Sequence, residues 1–222
     1  MSVFTRRQFG ALASAAAIPA RKPNIVLILA DDLGVGDLGC YGSPLSTPHL
    51  DQAAREGTRF TQAYAGCTVC APSRCALMTG YHTGHARVRG NKRNEELLRA
   101  EDFTISEMFK KSGYSTGMFG KWHLGDHPRF SPTRNGFFEY FGLPYSNDMW
   151  PFHPTTKTYP PLPLLDGIHT LALNPDQNQL TESYTQRAVQ FIEAHRDEPF
   201  FLYDAHNMPH VPLFASKAFR GR

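Results

Sequence analysis

Residues 67–80 read CTVCAPSRCALMTG and gather three of the chain's four cysteines around a Pro-Ser-Arg. The pair Cys67-x-x-Cys70 has the spacing of a redox couple or of half a zinc site. Zinc needs a second ligand pair at suitable spacing, and Cys75 with His82 and His85 offers only a loose one. The even count implies no disulfide framework, because a chain of 222 residues does not depend on disulfides for stability. Elsewhere, polar residues that can do chemistry fall directly after apolar runs: Asp31-Asp32, Lys121-Trp-His123, and the two histidines His206 and His210. Adjacent carboxylates repel unless something positive lies between them, and hard oxygen donors suit Ca²⁺, with Mg²⁺ as the alternative. Taken alone, each of these groups is equally a solvated turn or a surface side chain, and their shared location sets them apart.

That location follows from the elements that must carry them. Residues 24–30, NIVLILA, form a continuous apolar run rich in β-branched side chains, the pattern of a parallel strand buried on both faces. Thr47-Pro48 reads as an N-cap with Pro at the first helical position, with Leu50, Ala53 and Ala54 as the inward stripe and Gly57 as the stop. Thr104-Ile-Ser-Glu107 is a capping box, with Ile105, Met108 and Phe109 on one face and a strand expected over residues 114–119. A helix capped by Thr181 and running to Arg196 turns Tyr184, Ala188, Phe191 and Ile192 inward, before another buried strand over residues 200–203. Residues 144–175, rich in Pro, Thr, Tyr and His, read as a long loop over the sheet edge. The order predicts an α/β fold with a mostly parallel sheet flanked by helices. In such a sheet ligands sit at the carboxyl ends of the strands, so the three polar clusters are expected to converge on one edge.

Composition agrees with a folded domain: 41% of residues are hydrophobic and 19% charged, far from the profile of disorder. The formal charge of +3 is no argument for nucleic-acid binding, because part of the excess lies in the first 20 residues. There Arg6-Arg7 precedes a short Ala-rich run ending in small residues near Ala20, the layout of a twin-arginine export signal, with an exported, periplasmic or extracellular destination. The run is shorter than the roughly 20 apolar residues a membrane span needs, so no stable span is expected.

The segment from Cys70-Ala-Pro-Ser-Arg74 to Thr79-Gly80 resembles the C-x-P-S-R-x-x-x-x-T-G motif of type I sulfatases, whose cysteine is oxidised to formylglycine by a dedicated modifying enzyme. The likeness extends along most of the chain. NIVLILADDLG resembles the family's first strand and metal-binding aspartates, GKWHLG its lysine and histidine, GLPYSND a site serine, and HVPLFAS its second histidine. It implies the alkaline phosphatase/sulfatase-like fold. PYSNDM and PHVPLFAS are similar to the arylsulfatase A and N-acetylgalactosamine-6-sulfatase branch, which implies a sulfated carbohydrate as substrate.

Residue by residue, the resemblance makes Cys70 the formylglycine precursor and leaves Cys67 and Cys75 structural. A thiol is a poor agent for hydrolysing a sulfate ester, whereas a hydrated aldehyde offers one hydroxyl to attack sulfur and another to release the product. By the same likeness Asp31, Asp32 and the converted Cys70 bind Ca²⁺, Arg74 supports the aldehyde hydrate, His123 deprotonates its second hydroxyl, and Lys121 and Ser146 hold the sulfate. His210 matches the leaving-group acid, with His206 as the competing choice. The family's Asp-Asn metal pair, a further sulfate-binding lysine and a smaller C-terminal subdomain come after the point where this chain stops, so residues 21–222 read as the N-terminal part of a catalytic domain. Asn147-Asp148 has the wrong order and place to substitute for that pair. Two other readings remain beside sulfate-ester hydrolysis: a non-catalytic sulfate-binding remnant, and a phosphate or phosphonate monoester hydrolase of the same superfamily, against which the cysteine in C-x-P-S-R argues.

Overall fold

The computed structural model of the chain describes residues 22–91 and 97–221. The Arg6-Arg7 segment therefore lies outside the described residues. Six strands form one sheet in the order β1-β6-β2-β3-β4-β5: β1 (Ile25–Leu29), β2 (Ser115–Gly120), β3 (Glu139–Gly142), β4 (Pro163–Asp166), β5 (His169–Leu173) and β6 (Phe200–Ala205). The first four in spatial order are parallel, with Leu27 opposite Tyr203 and Met118 opposite both Tyr203 and Tyr140. β3-β4 and β4-β5 are antiparallel.

Among the described residues four α-helices accompany the sheet: α1 (Pro48–Glu56), α2 (Cys70–Thr79), α3 (Ile105–Lys111) and α4 (Leu180–Ala194). Alternation along β6 builds a core on each face. Phe201 and Tyr203 pack with Met118, Tyr140 and α2's Ala71, Cys75 and Met78. Phe200 and Leu202 pack with Phe119, Phe141 and α4's Tyr184, Ala188 and Phe191. Side chains such as Leu202 and Met118, wholly removed from water, each contribute about 1.5–3 kcal/mol of burial.

The expected helices and strands are present, with five corrections, the first being that α4 has Gln179, not Thr181, at its N-cap and ends at Ala194, not Arg196. β1 is an edge strand covered on one face only: Ile25, Leu27 and Leu29 meet the first core, while Val26 and Ile28 are exposed. α1 buries none of its residues, and Leu50 faces water. Polar contacts hold this helix instead: the Thr47 hydroxyl donates to Asp51 and accepts from the Gly39 N–H, and Asp51 also accepts from the Cys40 N–H. On α3 the Thr104-Glu107 capping box forms as expected, but Met108 is exposed while Ile105 and Phe109 pack inward. Residues 144–175 are no unstructured loop, since they contain the β4-β5 hairpin, closed by a turn at Gly167-Ile168 and by paired bonds between Leu162 and Asn174.

Candidate active site

The carboxyl end of β2 is where the site is built. Past Gly120 the main chain keeps pairing on both sides: the Lys121 N–H donates to Ala205 O (2.8 Å), Trp122 to Leu143 O (3.0 Å) and His123 to Pro144 O (3.0 Å). Such close approach requires glycine. Gly120 has φ +112°, and a Cβ there would stand 1.9 Å from Ala205 O; a Cβ on Gly142 would stand 1.9 Å from Gly120 O. The side chains of residues 121–123 are thereby aimed from a rigid strand end.

Lys121 is wholly buried and its Nζ donates to Asp31 Oδ2 (2.5 Å) and Ser146 Oγ (3.0 Å). Arg74, also buried, reaches the same Asp31 oxygen (3.7 Å) and donates to the Lys121 carbonyl (2.5 Å) and the Tyr203 hydroxyl (3.4 Å). Two basic side chains thus share one buried carboxylate, an arrangement that favours an anion alongside. Burial first, and then the charges of Lys121, Arg74 and His210, hold the His123 imidazole well below its ordinary pKa. The ring is neutral near pH 7.

Asp32 and His123 both take left-handed backbone (φ 63° and 61°), a strain of order 1–3 kcal/mol that collects at functional sites. Asp32, largely exposed, faces His210 Nε2 at 3.6 Å, while His210 Nδ1 donates to the Val211 carbonyl at 2.6 Å. The segment carrying His210 has cis peptides at Met208-Pro209 and Val211-Pro212 and is tied to β1's exit by the Asp31 N–H on Met208 O (3.3 Å). His206, the competing histidine, pairs instead with Asp204 (3.2 Å). Asp204 is a buried carboxylate that the sequence reading passed over, although an acid inside the apolar run FFLYDA was its signal. Asn147 bonds Gln177 and Asp148 faces His153, so neither joins the Asp31 cluster through these contacts.

Cys70 is the first residue of α2, and Arg74 stands one turn later on the same face. Pro72 is tolerated because the first turn has no intrahelical acceptor for its missing N–H. The positive end of a ten-residue helix therefore backs the Cys70 side chain. Cys75 is fully buried, its thiol pushed up by burial, and all four cysteines are free.

Asp31 and Asp32 match a hard cation in donor type. In number they do not complete a shell, and among the described residues no group of three or more His, Cys, Asp or Glu is arranged to hold a metal ion. A separate pocket of about 290 Å³ lies against Trp122, Tyr140, Tyr145 and the β4-β5 hairpin, and its lining includes none of Asp31, Cys70, Arg74, Lys121 or Ser146. No helix among the described residues is long and apolar enough to cross a membrane.

A sheet of this topology with Asp, Lys, Arg, Ser and His converging on its carboxyl edge has clear counterparts. The sulfatase family profile matches residues 23–222, and the chain belongs to the sulfatase family. It is 42% identical to arylsulfatase A of Homo sapiens, over 96% of this chain and 46% of that protein. It is 38% identical to N-acetylgalactosamine-6-sulfatase of Rattus norvegicus, over 96% of this chain and 44% of that protein. A Bacteroides thetaiotaomicron protein, solved in work on the metabolism of multiple glycosaminoglycans, superposes with a TM-score of 0.79 at 27% identity, over 91% of this chain and 54% of its own. The chain thus spans about half the length of the relatives it matches.

Proposed function

We propose that this chain carries the nucleophile-bearing part of a sulfate-ester hydrolase, acting on a sulfated carbohydrate. The observation that supports it most is the buried Lys121-Asp31-Arg74 cluster with Ser146 at hand, below the helix that begins at Cys70. Cys70 is converted to formylglycine by a sulfatase-modifying enzyme. When formed, the hydrated aldehyde supplies two hydroxyls on one carbon, the first to attack sulfur and the second to release sulfate. The position suits it: residue 70 already accepts a hydrogen bond at its γ atom and stands at a helix N-terminus. A Ca²⁺ ion, with Mg²⁺ as the alternative, would be held by Asp31, Asp32 and the oxygen of residue 70, and would add positive charge beside the sulfuryl oxygens.

The chain's own residues then divide the work. Lys121 Nζ and Ser146 Oγ hold sulfuryl oxygens by charge-assisted and neutral hydrogen bonds, and Arg74 adds a buried cation behind residue 70. His210 gives a proton from Nε2 to the leaving oxygen, its Nδ1 being committed to the Val211 carbonyl. His123, neutral because of its burial and cationic neighbours, takes the proton of the second hydroxyl. We also infer export through the Arg6-Arg7 segment, because two arginines before a short Ala-rich run have the layout of a twin-arginine signal.

The test is turnover by the polypeptide that carries this chain, with aldehyde content at position 70 measured and Ca²⁺ added. Hydrolysis of 4-nitrophenyl sulfate that disappears in Cys70→Ala is expected. Sulfate binding without turnover would favour the binding-remnant reading, and faster hydrolysis of 4-nitrophenyl phosphate would favour a phosphomonoesterase.

A further inference from the structure

We propose that Asn91 is a positioning residue for the side chain at position 70. This rests on the reading of Cys70 as the nucleophile precursor. α2 begins without a side-chain cap of its own, since Val69 occupies the N-cap position. The first N–H groups of a helix lack intrahelical acceptors, and Ala71 is fully buried, so its N–H needs one from elsewhere. Asn91 supplies it from 20 residues away: the Ala71 N–H donates to Asn91 Oδ1 at 3.1 Å. The other end of the same amide, Nδ2, donates to Cys70 Sγ at 3.1 Å.

The two contacts fix each other. A backbone N–H is only a donor, so the atom facing Ala71 must be the amide oxygen, which leaves the amide nitrogen facing residue 70. The segment leading to Asn91 is itself anchored, with Ala86 and Val88 buried in the core next to α2. One planar group therefore reads the helix start and holds the γ atom of the reactive side chain. When sulfur is replaced by oxygen, the same Nδ2–H meets an acceptor at the same place and limits its rotation, which is the kind of alignment a displacement at sulfur needs.

Two substitutions separate this role from helix capping. Asn91→Asp keeps the acceptor for Ala71 and loses the donor to residue 70; Asn91→Ala loses both. With aldehyde content matched, both variants are expected to lose roughly tenfold to a hundredfold in kcat on 4-nitrophenyl sulfate, with KM little changed. Only Asn91→Ala is expected to melt lower. Loss in Asn91→Ala alone would mean a cap and nothing more, and loss in Asn91→Asp alone would mean a charge effect; either overturns the proposal, as does parental turnover in both. A second readout needs no turnover and stands even if the hydrolase reading fails or Asn91→Ala does not fold. The Asn91 side-chain amide resonances, assigned by their absence in Asn91→Asp, are expected to shift in Cys70→Ala, and unmoved resonances would overturn the contact.

Discussion

Asp31 carries two buried cations, and this fixes what its removal does. Asp31→Asn leaves Lys121 and Arg74 side by side without their carboxylate, and breaking such a buried arrangement costs about 3–5 kcal/mol. Urea unfolding should show that loss, whereas Asp32→Asn, at a largely exposed carboxylate, should leave the midpoint nearly unchanged. Asp32→Gly goes further: it relieves a left-handed backbone and should raise stability by about 1 kcal/mol while weakening cation binding, measured by unfolding and calorimetry together. His123 sets a pH dependence. Its folded pKa lies below the unfolded value near 6.5, so above that pH neither state is protonated and nothing changes. As pH falls through that value the unfolded chain takes up a proton that the folded chain resists, and stability declines. His123→Gln should flatten that acid limb in unfolding curves measured between pH 7 and 5. Most of these residues were legible from their place after apolar runs. Asn91 was not, because its partners lie about 20 positions away and no local pattern links them.

At the scale of elements, the strand ends matter more than the helices. Gly120→Ala would place a methyl within 1.9 Å of Ala205 O, against backbone that cannot move aside, and would disfavour φ +112° as well. It should destabilise the fold by about 3 kcal/mol or more and lower the affinity of Lys121 and Ser146 for sulfate, both measurable on one purified variant. β2, β6, α3 and α4 could be read from the sequence because periodicity and caps agree there, although α4 starts at Leu180 and ends at Ala194, not Arg196. α2 escaped as a helix because its cap is remote and Pro72 sits in its first turn. The β4-β5 hairpin escaped because the prolines before it mask short strands, although Asp166-Gly167 was a turn signal. α1 kept its bounds but not its role, since Asp51 and Thr47 fasten it where an apolar stripe was expected.

For the molecule as a whole, the α/β class and the convergence of polar clusters on one sheet edge follow from the alternation of strand and helix. The burial of β1 does not, because a continuous apolar run cannot tell a central strand from an edge strand. Among the described residues Val26 and Ile28 are exposed and β1 is the outermost strand, an arrangement that templates self-association. Ile28→Lys should therefore reduce concentration-dependent association in sedimentation without altering the melting temperature. All the chemistry assigned to the site depends on what residue 70 becomes, and peptide mass spectrometry of that position, after expression with a sulfatase-modifying enzyme, tests this most directly. The Cys70 peptide is expected to lose its sulfur and to carry a carbonyl that reacts with hydrazide, with Pro72→Ala and Arg74→Ala lowering the yield. A Cys70 that remains wholly a thiol, in a host that converts other sulfatases, would contradict it.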